Sequence, residues 1–293
     1  MCICETFLLE KQEINVPGYK WFGNNRKRVT KRACRGSGGV GILIGSKVLE
    51  LFDVAVISEK FEGILWIQLI HKLSKTSIGI CACYLPPIGS SRGDQSLEFF
   101  DSIKALIIDN YHMEDFIICG DFNARCGNMD ETSGMEGGPV PARVAVDMTS
   151  NQLGKELIAT LKALDLCILN GRFSPSEDGH TSISSRGMSV VDYIITPVKS
   201  FNSFHNFKVL DPFQVATEGN IDIDSSMPDH RILAVQLALN RTPPYRYSYS
   251  KGKKSVKRMP ENFMLDPGTV DRLEALVDML ESNNPVIRGL RCG

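Results

Sequence analysis

The chain has 293 residues, of which 43% are hydrophobic and 23% charged, and its formal net charge is −1. This composition is typical of a globular protein, and the length fits one large domain or two small ones. The bulk charge does not indicate a nucleic-acid partner, although local basic patches still can. No apolar run reaches the roughly 18 residues that span a bilayer, so a membrane partner is not expected.

The nine cysteines include no CxxC pair, which disfavours a zinc site. Four of them lie inside apolar, strand-like runs: Cys81, Cys83, Cys119 and Cys167. The N-terminal segment carries Glu5 early and has no basic start, so it is not a signal peptide. Together these features predict an intracellular protein, nuclear or cytoplasmic, with reduced and buried thiols.

Short apolar runs closed by Gly, Pro or a polar residue predict strands. In chain order these runs cover residues 38–45, 63–70, 77–87, 116–119, 166–169, 190–195 and 230–239. Apolar stripes at helical spacing predict helices over residues 96–110 and 151–166, the second weakened locally by Gly154. The Gly-, Pro- and acid-rich residues 130–141 read as a loop. This order predicts an α/β domain over residues 1–239, with face-to-face sheets and outer helices.

The composition changes after residue 239. Residues 240–266 are polar, basic and Pro-bearing, which is typical of a linker, and residues 267–293 predict one amphipathic helix with a tail. Two basic stretches, residues 24–35 and 251–258, fit either a nucleic-acid backbone or a solvated surface. The second also resembles a nuclear-localisation patch.

Polar residues stand at or near the ends of several apolar runs. They are Glu5, Tyr84, Asp121, Asn123, Asp192, Asp229 and His230. Burying such groups singly costs several kcal/mol each, so they are expected to converge on one polar cleft. Each has a structural alternative, since Asp and Asn form turns and a lone His is more often structural. Turn chemistry does not explain Asp192, which lies between Val191 and Tyr193 in an apolar run.

The chemistry of this set points to phosphoryl transfer. Carboxylates with an amide and one His, without thiolates, suit Mg²⁺ or Mn²⁺. An Asp beside an Asn can orient and deprotonate water, and a His held by a carboxylate can stabilise charge on phosphorus. The residues therefore predict metal-assisted phosphodiester hydrolysis.

Seven motifs in order carry a resemblance to a known family. They are CETFL, GGVGILI, CYLPP, GDFNAR, LNGR, HTSISSRGMSVVDYII and PDHRIL. In this order they resemble the endonuclease/exonuclease/phosphatase superfamily, and most of all the apurinic-like endonuclease domain of non-LTR (LINE-type) retrotransposons. The segment RVAVDMTSNQLGKELI is similar to the same branch. The resemblance covers about Cys2 to Leu239 and implies a four-layer α/β sandwich of two mixed sheets flanked by helices.

The resemblance also implies a role for each matching residue. Glu5 and Asp229 would hold Mg²⁺ or Mn²⁺, and Tyr84 would hydrogen-bond the scissile phosphate. Asp121 and Asn123 would activate and hold the attacking water, while His230, held by Asp192, would contact the phosphate. Thr181, Ser189 and Arg125 would bind the substrate. The implied partners are DNA and, in a full-length element, a reverse-transcriptase domain or RNA.

Two departures from the family pattern lead to a further expectation. The family begins with a strand that ends in a metal-assisting Asn, whereas only MCIC precedes Glu5 here, and Pro228 replaces the usual Ser. We therefore expect an N-terminally truncated copy that lacks the first strand and has impaired activity. Two alternatives stay open: the same chemistry on RNA, an inositol phosphate or a lipid headgroup, or a relic that only binds nucleic acid.

Overall fold

The computed structural model describes residues 1–9, 11–26, 38–90, 96–110, 113, 115–132, 140–174, 178–219 and 228–239. The chain divides into two compact units, Met1–Pro244 and Tyr245–Gly293. The second unit lies outside the described residues. So do the predicted linker, the predicted C-terminal helix, residues 251–258, and residues 27–35 of the first basic stretch.

The secondary structure alternates strands with few helices. The strands are β1 (Cys2–Cys4), β2 (Tyr19–Asn24), β3 (Val40–Gly45), β4 (Phe52–Ser58), β5 (Ile64–His71), β6 (Ser77–Tyr84), β7 (Asp115–Asp121), β8 (Leu166–Ile168), β9 (Ser182–Ser184), β10 (Gly187–Ser189), β11 (Asp192–Pro197), β12 (Phe204–Leu210) and β13 (Ile232–Leu237). The α-helices are α1 (Ser46–Leu51), α2 (Ser96–Asp109), α3 (Gln152–Ala163) and α4 (Pro212–Glu218), and a 3₁₀-helix spans Val198–Ser203. Each predicted strand and helix of the first 239 residues is present.

A six-stranded mixed sheet in the order β4-β5-β6-β7-β11-β8 forms the centre of the fold. Helices α2 and α3 pack on one face, where Phe99, Ile103 and Leu157 bury against Trp66 and Ile118. Two smaller sheets pack on the other face: β1-β3-β2, and the pair β12-β13. The predicted α/β class with packed mixed sheets is therefore confirmed.

Strands β6 and β7 are the parallel pair within this sheet, and α2 lies in the crossover between them. Parallel strands end at the same edge, so Tyr84 and Asp121 stand opposite each other in the register. Gly120 precedes Asp121 with φ +147, and a Cβ there would lie 1.9 Å from the Cys83 carbonyl oxygen. The close approach of β6 and β7 at the predicted site therefore requires glycine.

Asn151 joins the start of α3 to the chain that follows β7. Its side-chain oxygen caps the helix by accepting from the Gly154 amide at 2.8 Å, and it also accepts from the Arg125 amide at 2.9 Å. Its amide group donates to the Asn123 carbonyl at 2.9 Å. A Cβ on Gly154 would lie 1.9 Å from the Arg125 carbonyl oxygen. Gly154, which intrinsically weakens the helix, therefore permits this packing.

A buried ion cluster lies beside β8, and part of it comes from the predicted loop. Glu131 accepts from Arg172 at 2.6 Å and from Arg143 at 3.3 Å. The side chains of Glu131 and Arg172 are 0% exposed and that of Arg143 is 8% exposed. Glu131 also accepts from the Ile168 amide at 2.9 Å, so the cluster fixes the chain to β8.

The seven cysteines among the described residues are free. Cys81, Cys83, Cys126 and Cys167 are buried. Within the described part of the chain, no helix is both long and apolar enough to cross a bilayer.

Candidate active site

Neighbouring strands bring the predicted catalytic residues to one edge of the central sheet. Asp121 ends β7, Asp192 begins β11, and the two residues are paired in the antiparallel register. His230 reaches the same edge through a bridge to Ser182. Backbone hydrogen bonds on both sides of His230, from Ile183 to Asp229 and from Arg231 to Thr181, hold this turn at 2.7 Å each.

The segment after β7 is both a turn and a polar site. Asn123 adopts φ +47, a left-handed conformation that Asn tolerates better than most residues. Its backbone amide donates to one Asp121 oxygen at 2.8 Å, and its side-chain amide donates to the other at 3.0 Å. The same amide group donates to the Leu85 carbonyl at 2.9 Å. The turn therefore fixes the Asp121 carboxylate, so the two interpretations of this segment are compatible.

His230 is held by Asp192. The Nδ1 atom of the imidazole lies 2.9 and 3.0 Å from the two carboxylate oxygens. This hydrogen bond, opposed by partial burial and supported by nearby carboxylates, raises the pKa of His230 to about 9. The imidazole is therefore a cation at neutral pH, with Nε2 as its remaining donor.

Thr181 positions Asp192 from inside the protein. Its side chain is fully buried, and its hydroxyl oxygen accepts from the Val191 and Asp192 amides at 3.0 Å each. The sequence prediction placed Thr181 at the DNA backbone. In the structure its buried hydroxyl fixes the start of β11 and hence Asp192, the partner of His230, so we propose a positioning role for it.

Thr181→Val is expected to destabilise the fold by about 1–3 kcal/mol, because two buried amides lose their acceptor. The pKa of His230 should also fall from about 9 towards its ordinary value as Asp192 shifts. Urea unfolding and an NMR pH titration of the imidazole measure the two effects. Thr217→Val, whose exposed hydroxyl donates to the Phe213 carbonyl, is the control. An unchanged His230 titration in Thr181→Val would contradict the positioning role.

Glu5 and Tyr84 meet at the same edge. The Tyr84 hydroxyl donates to Glu5 Oε1 at 2.6 Å. Burial, followed by this hydrogen bond to the carboxylate, raises the pKa of Tyr84 well above its ordinary value, so Tyr84 stays a neutral donor. Glu5 has φ +52, which is unusual for a non-glycine residue and turns its side chain out of β1.

A cavity of 540 Å³ opens beside Glu5. Its acidic and basic side chains are those of Glu5, Asp121, Asp192, Asp229, His230 and Arg231. Ligand atoms of Asp121, Asp192 and His230 all lie within 4.8 Å of one another. Burial and then the charge of Asp192 raise the pKa of Asp121 to about 8, with Glu5 adding to the rise.

The site fits a divalent cation of the hard, oxygen-binding type. Four carboxylates line one cavity, and the pKa of Asp121 is raised first by burial and then by repulsion from Asp192 and Glu5. A dication at this position relieves that repulsion, and carboxylate oxygens are the ligands that Mg²⁺ and Mn²⁺ prefer. Glu5 and Asp229, the predicted ligands, line the same cavity, whereas the side chains whose ligand atoms lie within 4.8 Å of one another are Asp121, Asp192 and His230.

No protein-family model and no curated protein sequence matches the chain. Solved structures do match. The endonuclease domain of TRAS1, a telomere-specific non-LTR retrotransposon, aligns at 14% identity with a TM-score of 0.50, covering 77% of this chain and 83% of that chain. A 3′–5′ exonuclease (NExo) from Neisseria meningitidis aligns at 11% identity with a TM-score of 0.51, covering 81% and 88%. The AP endonuclease LMAP from Leishmania major aligns at 14% identity with a TM-score of 0.56, covering 81% of this chain and 77% of that chain.

The chain has the fold of the endonuclease/exonuclease/phosphatase superfamily. At these identities the likeness shows the fold, and the roles of individual residues stay predictions. In this superfamily fold, Ser189 lies half-buried at the end of β10, and its carbonyl accepts from the Thr181 amide at 2.9 Å. Arg125 is part-exposed and makes two hydrogen bonds to Asp147, at 2.7 and 2.8 Å.

Asp147 and Asn151 are site-supporting residues that the strand-end argument alone does not find. Asp147 accepts from the Val190 amide at 3.1 Å in addition to Arg125, so it joins the segment after β7 to the segment before β11. The resemblance of RVAVDMTSNQLGKELI to the retrotransposon branch was the available signal for both. Nothing in their hydrophobic pattern distinguishes them from ordinary loop residues.

Proposed function

We propose that this protein hydrolyses phosphodiester bonds in DNA with the help of a divalent cation, leaving single-strand nicks. The observation that carries the proposal is the grouping of Asp121 with the Asp192–His230 pair in one open cavity. The nuclease descriptions of the structural neighbours support the same reaction class. A carboxylate that accepts a proton and an imidazolium held in place are suited to the attack of water on a phosphate.

Asp121 is the proposed general base. Both its oxygens accept hydrogen bonds from Asn123, which fixes the orientation of the carboxylate. It accepts the proton of the attacking water. His230, protonated and held by Asp192, donates a hydrogen bond to a phosphate oxygen as negative charge develops there. Tyr84 donates its one hydroxyl proton to Glu5 and so orients that carboxylate.

The predicted cofactor has a limited, defined place in this scheme. When bound, Mg²⁺ or Mn²⁺ would polarise a phosphate oxygen and neutralise charge on the leaving oxygen. Glu5 and Asp229 would hold it from the acidic side of the cavity. Its removal with a chelator should therefore abolish nicking and leave the fold in place.

The biological setting that we propose is a LINE-type retrotransposon. The likeness to the TRAS1 domain supports this setting, alongside the motif order in the sequence. DNA is the proposed partner, and a reverse-transcriptase domain or element RNA would act downstream of the nick. Ser189 and Arg125 stay the proposed contacts to the DNA backbone.

Nicking of supercoiled plasmid in the presence of Mg²⁺ tests the proposal. His230→Ala should lower the rate by roughly 10²–10⁴-fold, because charge stabilisation at the phosphate is lost. His205→Ala is the matched control, since His205 is exposed on β12. Equal nicking by both variants would contradict the assigned role of His230.

Competing substrates test the class of phosphoester. We expect plasmid DNA to be cleaved in preference to RNA oligonucleotides, an inositol phosphate or a lipid headgroup. Faster turnover of a small phosphoester would contradict the DNA substrate while preserving the chemistry. Binding of DNA without any cleavage in Mg²⁺ or Mn²⁺ would identify the chain as a binding relic.

A further inference from the structure

Strand β11 extends beyond its partner β8 along one side of the central sheet. The register between these two strands stops at Ile195↔Ile168, whereas β11 begins at Asp192. One further backbone hydrogen bond joins the two chains, from the Leu169 amide to the Ile194 carbonyl at 2.8 Å. The start of β11, which carries the proposed partner of the catalytic imidazole, therefore lies beyond the end of β8.

The chain that follows β8 turns away from the sheet at this point. If the ladder continued in the same register, it would use the Leu169 carbonyl and the Gly171 amide. The Leu169 carbonyl instead accepts from the Arg172 amide at 3.2 Å and closes a turn. Gly171 within this turn has φ +74, and a Cβ there would lie 2.3 Å from the Val144 carbonyl oxygen. Glycine therefore permits the turn, and two backbone groups of β11 need other partners.

The side chain of Asn170 supplies both partners. Its Oδ1 atom accepts from the Ile194 amide at 3.2 Å, and its Nδ2 atom donates to the Asp192 carbonyl at 3.1 Å. Asn170 is 4% exposed. A carboxamide has the donor and the acceptor of a peptide group, and the two partners on β11 fix which way round it lies. Asn170 therefore continues the ladder between β8 and β11 with its side chain after the backbone has left the sheet.

Both backbone polar groups of Asp192 are bound by buried side chains. Its amide donates to the Thr181 hydroxyl at 3.0 Å, and its carbonyl accepts from Asn170. On the other side of β11, Asp192 stands opposite Asp121 in the register with β7. Because Nδ1 of His230 lies 2.9 Å from the Asp192 carboxylate, a shift of this backbone would move the imidazole or break the hydrogen bond.

We propose that Asn170 is a positioning residue for the hydrolysis, since its carboxamide fixes the Asp192 backbone and thereby the direction in which His230 presents Nε2 to the phosphate. The inference rests on the proposed function for this chemical consequence. Asn170 does not line the cavity of the candidate active site, so its effect passes through Asp192. An aliphatic side chain in its place lacks both the donor and the acceptor.

Asn170→Leu tests this role, because leucine branches at the same carbon and makes no hydrogen bond. We expect kcat for plasmid nicking to fall by about 10²-fold, the effect that a displacement of about 1 Å has on a reacting group. KM should change by less than about twofold, because the contact of His230 strengthens as charge develops at the phosphate. The matched control is Thr196→Val on the same strand, which removes a buried hydrogen bond to the Phe116 carbonyl. An equal fall in kcat in both variants would overturn the proposal.

The Nδ1 proton of His230 gives a second readout, which needs neither DNA nor metal. In a proton NMR spectrum at neutral pH, a proton held between an imidazole and a carboxylate resonates at low field. Asn170→Leu should move this resonance upfield or remove it through exchange with water, whereas Thr196→Val should leave it in place. An unchanged resonance in Asn170→Leu would overturn the positioning role. If the unsubstituted chain does not nick DNA, the proposed function fails, and this spectrum still decides whether Asn170 positions the pair.

Asn170→Ala keeps the test decisive if the leucine variant does not fold. The smaller side chain leaves room for water at the Ile194 amide and the Asp192 carbonyl, which lowers the cost of leaving them unpaired. Water does not fix the backbone as an attached carboxamide does, so kcat should still fall by about tenfold or more. A kcat equal to that of the unsubstituted chain would show that no carboxamide is needed, and the proposal would be wrong.

Discussion

Asp121→Asn lowers nicking by roughly 10²–10⁴-fold, since the amide cannot accept the proton of the attacking water. The same substitution should stabilise the metal-free protein at pH 8. Burial and the charge of Asp192 raise the pKa of Asp121 from 3.8 to about 8. Between these two values the folded chain binds more protons than the unfolded chain, so stability falls as pH rises. Asparagine does not ionise, so the variant does not lose this stability as the pH rises.

Thermal unfolding in a chelator at pH 4 and pH 8 measures the stability effect, and plasmid nicking in Mg²⁺ measures the activity. The difference in unfolding midpoint between Asp121→Asn and the unsubstituted protein should be larger at pH 8. Asp53→Asn, on the exposed side of β4, should change neither property. A difference in unfolding midpoint that is the same at both pH values would show that Asp121 is not under electrostatic strain. Retained nicking would exclude Asp121 as the base.

Glu131→Ala should lower the free energy of unfolding by about 3–5 kcal/mol, the largest stability effect expected in this chain. Glu131 accepts from Arg172 and Arg143, and its removal leaves two guanidinium groups buried without a counter-charge. The Ile168 amide also loses its acceptor, which loosens the connection to β8.

Urea unfolding followed by circular dichroism checks the size of this effect. Asp101→Ala is the matched control, because Asp101 pairs with Lys104 on the exposed surface of α2 at 3.2 Å. Its expected effect is below about 1 kcal/mol. If the two variants lose similar stability, water reaches the Glu131 cluster and the burial seen in the structure does not govern its energy.

The strand ends were the most predictable part of this protein. Asp192 interrupts an apolar run, and Asp121 ends one. Because burying an unpaired charge is costly, these positions indicated that the two side chains share a polar cleft. The structure brings these residues together with His230. Glu5 and Asp229 line the same cavity but stand outside that closest group of three. The distances between these side chains depend on the order of the strands in the sheet. The pattern of apolar residues along the chain does not reveal that order.

Other features depended on contacts between distant residues. Residues 130–141 read as a loop because their composition is that of a loop, yet Glu131 within them is fully buried by Arg172, 41 positions away. The resemblance implied a substrate contact for Thr181, and only the fold shows its hydroxyl accepting from the amides at the start of β11. Strand β4, which the sequence analysis did not predict, is a sheet edge of mixed exposure, so its apolar pattern is weaker than that of its buried neighbours.

Because β6 and β7 pair in parallel, the relative position of Tyr84 and Asp121 does not depend on the length of the chain that connects the two strands. Tyr84 and Asp121 are held opposite each other by strand register, and the α2 crossover contributes no residue to the cavity. Leu97 and Ile108 are exposed on α2, so its outer surface is not buried by the described part of the fold. This crossover is therefore a suitable position for grafting a reporter or a targeting module while the two residues stay in place.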